Sequence, residues 1–291
     1  MIAMSQWLRD TLGCRVRKIA VNAGTGCPNR DGTVGTGGCI YCNNASFNPA
    51  YANLSRESVT SQIEAGIRFS SGKGDADAFL VYFQSYTNTY GDTGRLTSMY
   101  REALSYPKVR GLVIATRPDC LPAALLDWFQ DYVSNGGFLL VELGVESTID
   151  RTLQSINRGH DWACARNAIH ELDRRGIFVG AHLILGLPGE TRDEMLSHAD
   201  ALSALPITTL KLHQLQIIRN TPLAERYLKD PASVPVFTAR DYAALARDFI
   251  KRMRPDTVLD RVVSEAPKSM LLAPDWGLKP SEFMSLLGDW Q

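Results

Sequence analysis

With 291 residues, 45% of them apolar and 21% charged, the chain has the composition of a globular protein able to bury a full core. Its formal net charge of zero excludes a global electrostatic pull toward nucleic acid or an anionic membrane, and leaves only local basic patches for such contacts. No run of about 18 apolar residues is present and the opening MIAMSQWLRD lacks the layout of a signal peptide, so a cytoplasmic protein with no membrane contact is expected, its six cysteines acting as ligands, catalysts or core residues rather than disulfides.

In chain order, β-branched or apolar runs alternate with segments of helical period. A first strand is predicted over Val16–Val21, followed by a glycine-rich loop and a helix over 58–69. Strands over 79–83, 109–115, 138–144, 177–185 and 209–218 then alternate with helices over 95–105, 122–133, 162–175 and 192–205. Thr191 and Glu194 form a capping box for the last of these, and a weaker acidic version, Thr238 with Asp241, opens a further helix over 242–253. Crossovers of this length imply a parallel sheet, open or curled, with its reactive site beyond the carboxyl ends of the strands. The tail over 256–291 carries three prolines and little periodicity, and is expected to wrap the barrel or cover its open side.

The strongest chemical signal is the loop CPNRDGTVGTGGCIYC, which places Cys27, Cys39 and Cys42 within 16 residues. Structural zinc and ordinary iron–sulfur sites take four protein ligands, so three thiols suggest a centre with one position open. Gly32, Gly35, Gly37 and Gly38 allow close backbone approach to such a centre. The alternative is zinc with a fourth ligand from Cys14, Cys120 or a histidine. Standing alone in sequence, Cys14, Cys120 and Cys164 read first as small buried residues.

Weaker signals lie at the other strand ends. YFQSYTNT, residues 82–89, is either a plain turn or a polar nest for a charged ligand. In VELGVES, residues 141–147, alternation puts Glu142, Gly144 and Glu146 on one face, and carboxylates turned into a barrel need a diol or a cation as partner. Arg158, in INRGH, suits either a bound carboxylate or a surface ion pair. In AHLILGLPGE the turn at Gly186–Gly189 exposes backbone, and His182 reads as a core histidine or a ligand. Arg240, Arg247, Lys251 and Arg254 form one basic stripe, read as a solvated face or a phosphate patch.

The order of CPNRDG…GGCIYCNNASF, YFQSYTNTY, ATRPDCLP, INRGHD, HLILGLPGE and LLAPDW resembles the radical SAM superfamily, in its Elongator-like branch and the YhcC/YtqA-like bacterial group. The gap of eleven residues between Cys27 and Cys39 departs from the commoner spacing of the superfamily but is similar to that branch. The resemblance implies an α/β fold: a partial (βα)6 TIM-like barrel over residues 1–255 with a C-terminal extension over 256–291. It implies a 4Fe–4S cluster on Cys27, Cys39 and Cys42, and S-adenosylmethionine (SAM) bound at the open iron and split to a 5′-deoxyadenosyl radical. It further implies that Tyr41 meets the adenine, that Gln84, Ser85, Tyr86 and Thr87 replace a glycine-rich motif at the SAM amino group, and that Glu146 binds the ribose. Arg158 would pair with the SAM carboxylate. His182 stands where relatives place an aspartate, and Ala115 where they place a glutamate. Cys120 is a candidate for handling a substrate radical.

Relatives in that branch act on the wobble uridine of tRNA, so a tRNA nucleoside is the expected substrate and a flavodoxin or ferredoxin the expected electron donor. A small metabolite is the alternative substrate, and a non-catalytic iron–sulfur or zinc sensor or assembly module the alternative class.

Overall fold

The structure is a computed structural model that describes residues 1–46, 51, 58–72, 74 and 76–288. Phe47 of the cysteine-loop string and the last three residues of the tail lie outside the described residues. Eight parallel strands form one curled sheet: β1 (Ile2–Ala3), β2 (Val16–Val21), β3 (Ala78–Phe83), β4 (Val109–Thr116), β5 (Phe138–Glu146), β6 (Phe178–Leu185), β7 (Thr209–Gln214) and β9 (Val258–Arg261). Their order is β1-β9-β7-β6-β5-β4-β3-β2, so consecutive strands from β2 to β7 are neighbours. Helices α1 (Met4–Leu12), α2 (Val59–Ser70), α3 (Thr93–Ser105), α4 (Ala123–Ser134), α5 (Asp150–Ser155), α6 (Trp162–Arg174) and α7 (Arg192–Ser203) precede or connect them. The expected half-barrel is therefore present, with β1 and β9 added.

Of the five helices predicted between the strands, those over 162–175 and 192–205 start where expected and the others within two residues, and a capping side chain sets the start of four of the five. Ser58 accepts from Ser61 N, Asp92 from Arg95 N and Asp161 from Cys164 N, while Thr191 and Glu194 complete the capping box read in the sequence. The expected strand over 209–218 stops at Gln214. Beyond it, β8 (Ile217–Ile218) turns away to pair antiparallel with β10 (Leu271–Ala273). α8 (Pro222–Lys229), α9 (Ala239–Arg252) and α10 (Pro280–Leu287) complete the elements, with α10 packed on α9. The expected division after residue 255 leaves β9 on the side of the tail, although β9 pairs with β7 inside the main sheet.

The barrel interior is layered. At the amino ends of the strands, Trp7 of α1 packs edge-on against Phe178, 5.2 Å between ring centroids, and beside Phe138, stoppering that end. Above it lie Leu80, Val113 and Leu140, fully buried. Only toward the carboxyl ends does the inner face become charged. Outside, the sheet is covered by helices whose apolar faces form the main core; there Phe83, Tyr100, Trp128 and Phe129 make one aromatic cluster with centroids 5.0–5.9 Å apart.

Phe129 is fully buried in that cluster. Phe129→Ala should cost roughly 3–5 kcal/mol, read as a lowered urea midpoint at unchanged slope. A loss under about 1 kcal/mol would mean that the cluster collapses to fill the hole.

Candidate functional site

One cavity opens at the carboxyl ends of β2–β7 and β9, and the cysteine loop forms one wall of it. The loop is shaped by its own backbone: Arg30 N and Asp31 N donate to Cys27 O, Gly38 N to Asn29 O and Cys42 N to Cys39 O. At Gly38 the chain takes φ +80°, and a Cβ there would lie 2.9 Å from Arg30 Nε, so only glycine fits. Buried Asn29 ties the loop to the turn after α5, donating to Asn157 O at 2.5 Å and facing Cys39 Sγ at 3.8 Å. Asn157 returns two bonds, to Thr36 O and Gly38 O, and Ile40 N donates to Ile156 O. The cysteine loop and the turn after α5 are thus tied together by reciprocal hydrogen bonds.

Cys27, Cys39 and Cys42 all line the cavity, Cys39 buried and the others half-buried. Burial, and the neighbouring Cys39, push the Cys42 thiol up. Among the described residues, no three His, Cys, Asp or Glu side chains stand close enough to hold a single metal ion. Three thiols on one cavity wall, with Asn29 and Arg158 within reach of Cys39 Sγ, fit a group that takes thiolate ligands.

Arg158 joins this wall to β5. Its Nη1 is 3.6 Å from Cys39 Sγ, its Nη2 donates to Gly144 O at 2.5 Å, and Glu146 Oε1 lies 3.7 Å away. Burial works against its charge, but Cys39, Tyr41 and Glu146 around it hold it firmly protonated. Its Nε is buried without a partner among the described residues, a donor left for a ligand. Glu146 sits at a β-bulge with φ +67°, a costly backbone state for a side-chain-bearing residue, which turns its carboxylate to the cavity. Gly144 makes room for both, since a Cβ there would lie 2.6 Å from Arg158 Nη2 and from Glu146 Oε1.

Of the other expected site residues, Tyr41, Gln84, Tyr86, Thr87 and His182 line the cavity. Ser85 does not: it is buried beneath the turn. Cys120 is not brought to the cavity either. Its Sγ is 3.7 Å from Asp119 Oδ1, and burial with that carboxylate raises the thiol to about 12, leaving it protonated and unreactive. Instead Arg117, two residues before Asp119 and paired with it at 2.7 and 2.8 Å, reaches the cavity with Nη1 unpartnered among the described residues.

The face of β5 that bears Glu142 turns inward as expected, and its partner is a pair of lysines. Lys211 Nζ lies 2.6 Å and Lys18 Nζ 3.3 Å from the carboxylate, and His182 Nε2 2.8 Å from it. Asp260 on β9 takes Lys18 at 2.8 Å and Lys211 at 3.2 Å. Burial opposes the Glu142 charge, but Lys211 and Lys18 hold its carboxyl well below the usual range. Burial and Lys211 keep His182 neutral. Sequence reading missed Lys18, Lys211, His213 and Asp260, yet Lys211 and His213 alternate inside an apolar strand, where a charge is rarely exposed or idle.

The basic stripe on α9 proves mostly structural. Arg247 donates to Leu286 O and Leu287 O of α10, and Arg254 to Leu205 O and Ile207 O. Arg240 and Lys251 remain exposed.

The family model of the Radical SAM superfamily matches residues 21–202, and that of the Radical_SAM C-terminal domain residues 207–288. Protein YhcC of Escherichia coli (strain K12) is 36% identical over 264 residues, 91% of this chain and 83% of its own length. A solved structure of the archaeal Methanocaldococcus infernus Elp3 with an N-terminal deletion superposes with a TM-score of 0.70 at 16% identity, a likeness of fold; it covers 93% of this chain, which spans 61% of that one. The tRNA uridine(34) acetyltransferase of Dehalococcoides mccartyi (strain CBDB1) is 28% identical over 174 residues, 59% of this chain and 36% of its own.

Since Glu142 titrates below its ordinary 4.5 when folded, its stabilisation is complete above that value and is lost as pH falls through the folded one. Wild-type stability should therefore drop on acidification. Glu142→Gln should show a shallower acid limb and lose roughly 3–5 kcal/mol at neutral pH, because two lysines lose their counter-charge. Urea titrations across pH check this, and equal acid limbs would remove the assignment.

Proposed function

The chain belongs to the radical SAM superfamily, and we propose that it is an enzyme that holds a 4Fe–4S cluster on Cys27, Cys39 and Cys42 and cleaves S-adenosylmethionine reductively. One observation carries this reading. Residues separated by more than a hundred positions, the three cysteines with Tyr41 on one side and Glu146 with Arg158 on the other, line one cavity whose free donors face inward. Cys27, Cys39 and Cys42 would hold the cluster, which when bound and reduced would supply the single electron needed for reductive cleavage of a carbon–sulfur bond of the sulfonium.

The chain's own residues do the positioning. Arg158 is fixed by Gly144 O and keeps Nε for the methionine carboxylate. Glu146, aimed by its strained backbone, accepts from the ribose hydroxyls. Backbone at Tyr41 and at the 84–87 turn meets the adenine and the amino group. Asn29 and Arg158, both within reach of Cys39 Sγ, stabilise its thiolate. The low cluster potential calls for an external donor such as a flavodoxin or ferredoxin.

The proposed substrate is a tRNA nucleoside, the wobble uridine first, which the tRNA uridine(34) acetyltransferase relative supports. A small metabolite is the second reading. It is favoured by two cations of the basic stripe, Arg247 on α9 and Arg254 just beyond it, being spent on carbonyls, which leaves Arg240 and Lys251 of the stripe exposed to a phosphate backbone.

Anaerobic reconstitution, dithionite reduction and assay for 5′-deoxyadenosine should give product from wild type, whereas Cys42→Ala should lose both the brown chromophore and the cleavage. Cleavage by that variant would refute the ligand assignment. For the substrate, nucleoside mass spectrometry of tRNA from a deletion strain should show a missing or immature wobble modification. An unchanged profile would leave the metabolite reading.

A further inference from the structure

Two polar groups of the cavity have no role in the cofactor site just described. His213, on β7, lines the cavity with its Nε2 buried and unpartnered among the described residues, and its ring centroid is 5.6 Å from that of His182. Arg261, which ends β9, is exposed to solvent, also lines the cavity and enters no ion pair among the described residues. Its lack of a partner follows from its neighbours. The acids on this side are Glu142 and Asp260, and both are already taken by Lys18 and Lys211. Three cations thus meet two carboxylates, and the surplus positive charge is the one with access to the ligand space.

The chemistry of the surplus is specific. A guanidinium offers a fork of N–H donors that matches the oxygens of a carboxylate or phosphate. Burial first, then His182, Arg261 and Lys211, depress the His213 imidazole well below its ordinary range. It is therefore neutral and offers an N–H donor without adding charge. Tyr82, across the cavity, already receives Lys211 Nζ at 3.2 Å and lies under that ammonium, 4.9 Å from ring centroid to nitrogen. It forms a satisfied wall rather than a competing donor.

We propose that the β7–β9 side of the cavity is an oxyanion subsite, in which Arg261 and His213 receive a carboxylate or phosphate of the substrate and so present the rest of it to the cofactor side. This rests on, and deepens, the reading of the cavity as a radical reaction chamber, for it assigns the substrate a class: a compound bearing an anionic oxygen group. The phosphate of a nucleotide and the carboxylate of a metabolite share that chemistry. A neutral nucleoside read only through its base does not need it.

The test needs no radical chemistry. The full chain, as purified and after reconstitution, is labelled with ¹⁵N-histidine, and the His213 resonances are assigned among the five histidines by loss in His213→Gln. Inorganic phosphate, acetate and, at matched ionic strength, sodium chloride are titrated in turn. The expected result is a saturable shift of the His213 signals with phosphate or acetate but not chloride, weakened about tenfold or more in Arg261→Met, the equivalent of about 1.4 kcal/mol. Tighter binding of phosphate points to a nucleotide, and of acetate to a carboxylate metabolite. Arg261 has no ion-pair partner to lose, so the variant should melt with wild type.

A response equal for all three salts, or one unchanged by Arg261→Met, overturns the subsite. If the subsite fails while 5′-deoxyadenosine still forms, the functional reading stands alone. If anions bind and no cleavage occurs under any reductant, the functional reading falls and the subsite remains.

Discussion

The structure depends on one buried carboxylate. Glu142 is 1% exposed and draws Lys18 from β2, His182 from β6 and Lys211 from β7, while Asp260 of β9 shares both lysines. β2 and β9 lie near opposite ends of the sheet, so the contact between Lys18 and Asp260 at 2.8 Å spans the barrel's interior and fixes how far the sheet curls. Removing such charges from water is costly, and a lone carboxylate there would be untenable. With every partner present the network instead specifies a single arrangement of five strands, and it forms the floor on which the cavity stands.

Above that floor the cavity has two walls of different character. The cysteine wall is held by reciprocal hydrogen bonds between the loop and the turn after α5, so the three cysteines and the Arg158–Glu146 pair are tied to one another. Placement of this kind is what cofactor positioning requires, because small displacements of a reacting group lower rates steeply. The opposite wall, from β7 and β9, carries the surplus cation and the unpartnered imidazole. On the proposed reading, cofactor chemistry and substrate selection fall to different strands of one sheet. The first wall is built from two short motif-bearing segments, the cysteine loop and the stretch from Gly144 to Arg158, the second from single residues of β7 and β9.

The exterior says little of a macromolecular partner. The formal charge is zero, and two of the four cations of the basic stripe, Arg247 on α9 and Arg254 just beyond it, are bound to carbonyls. Among the described residues, no helix is long and apolar enough to cross a membrane.

Much of this was legible in the sequence. Period-2 and period-3.6 patterns located the six strands from β2 to β7 and the helices between them, because each buries one face and local sterics dictate the spacing. The cysteine triplet, Glu146 and Arg158 were found through strings whose order survives folding. Tertiary structure alone decided the rest. β9 is only four residues long and earns its place by pairing with β7, a contact no local period announces. Cys120, read first as a small buried residue and offered by the resemblance as a candidate for handling a substrate radical, has its carbonyl held by Thr89 and its thiol turned to Asp119, and does not line the cavity. The lysines that satisfy Glu142 lie 124 and 69 residues from it, and the charge left over on Arg261 emerges only when those pairs close. Periodicity reports which face of an element is buried; which charges meet across the barrel depends on curl and register, and those are set by the whole sheet at once.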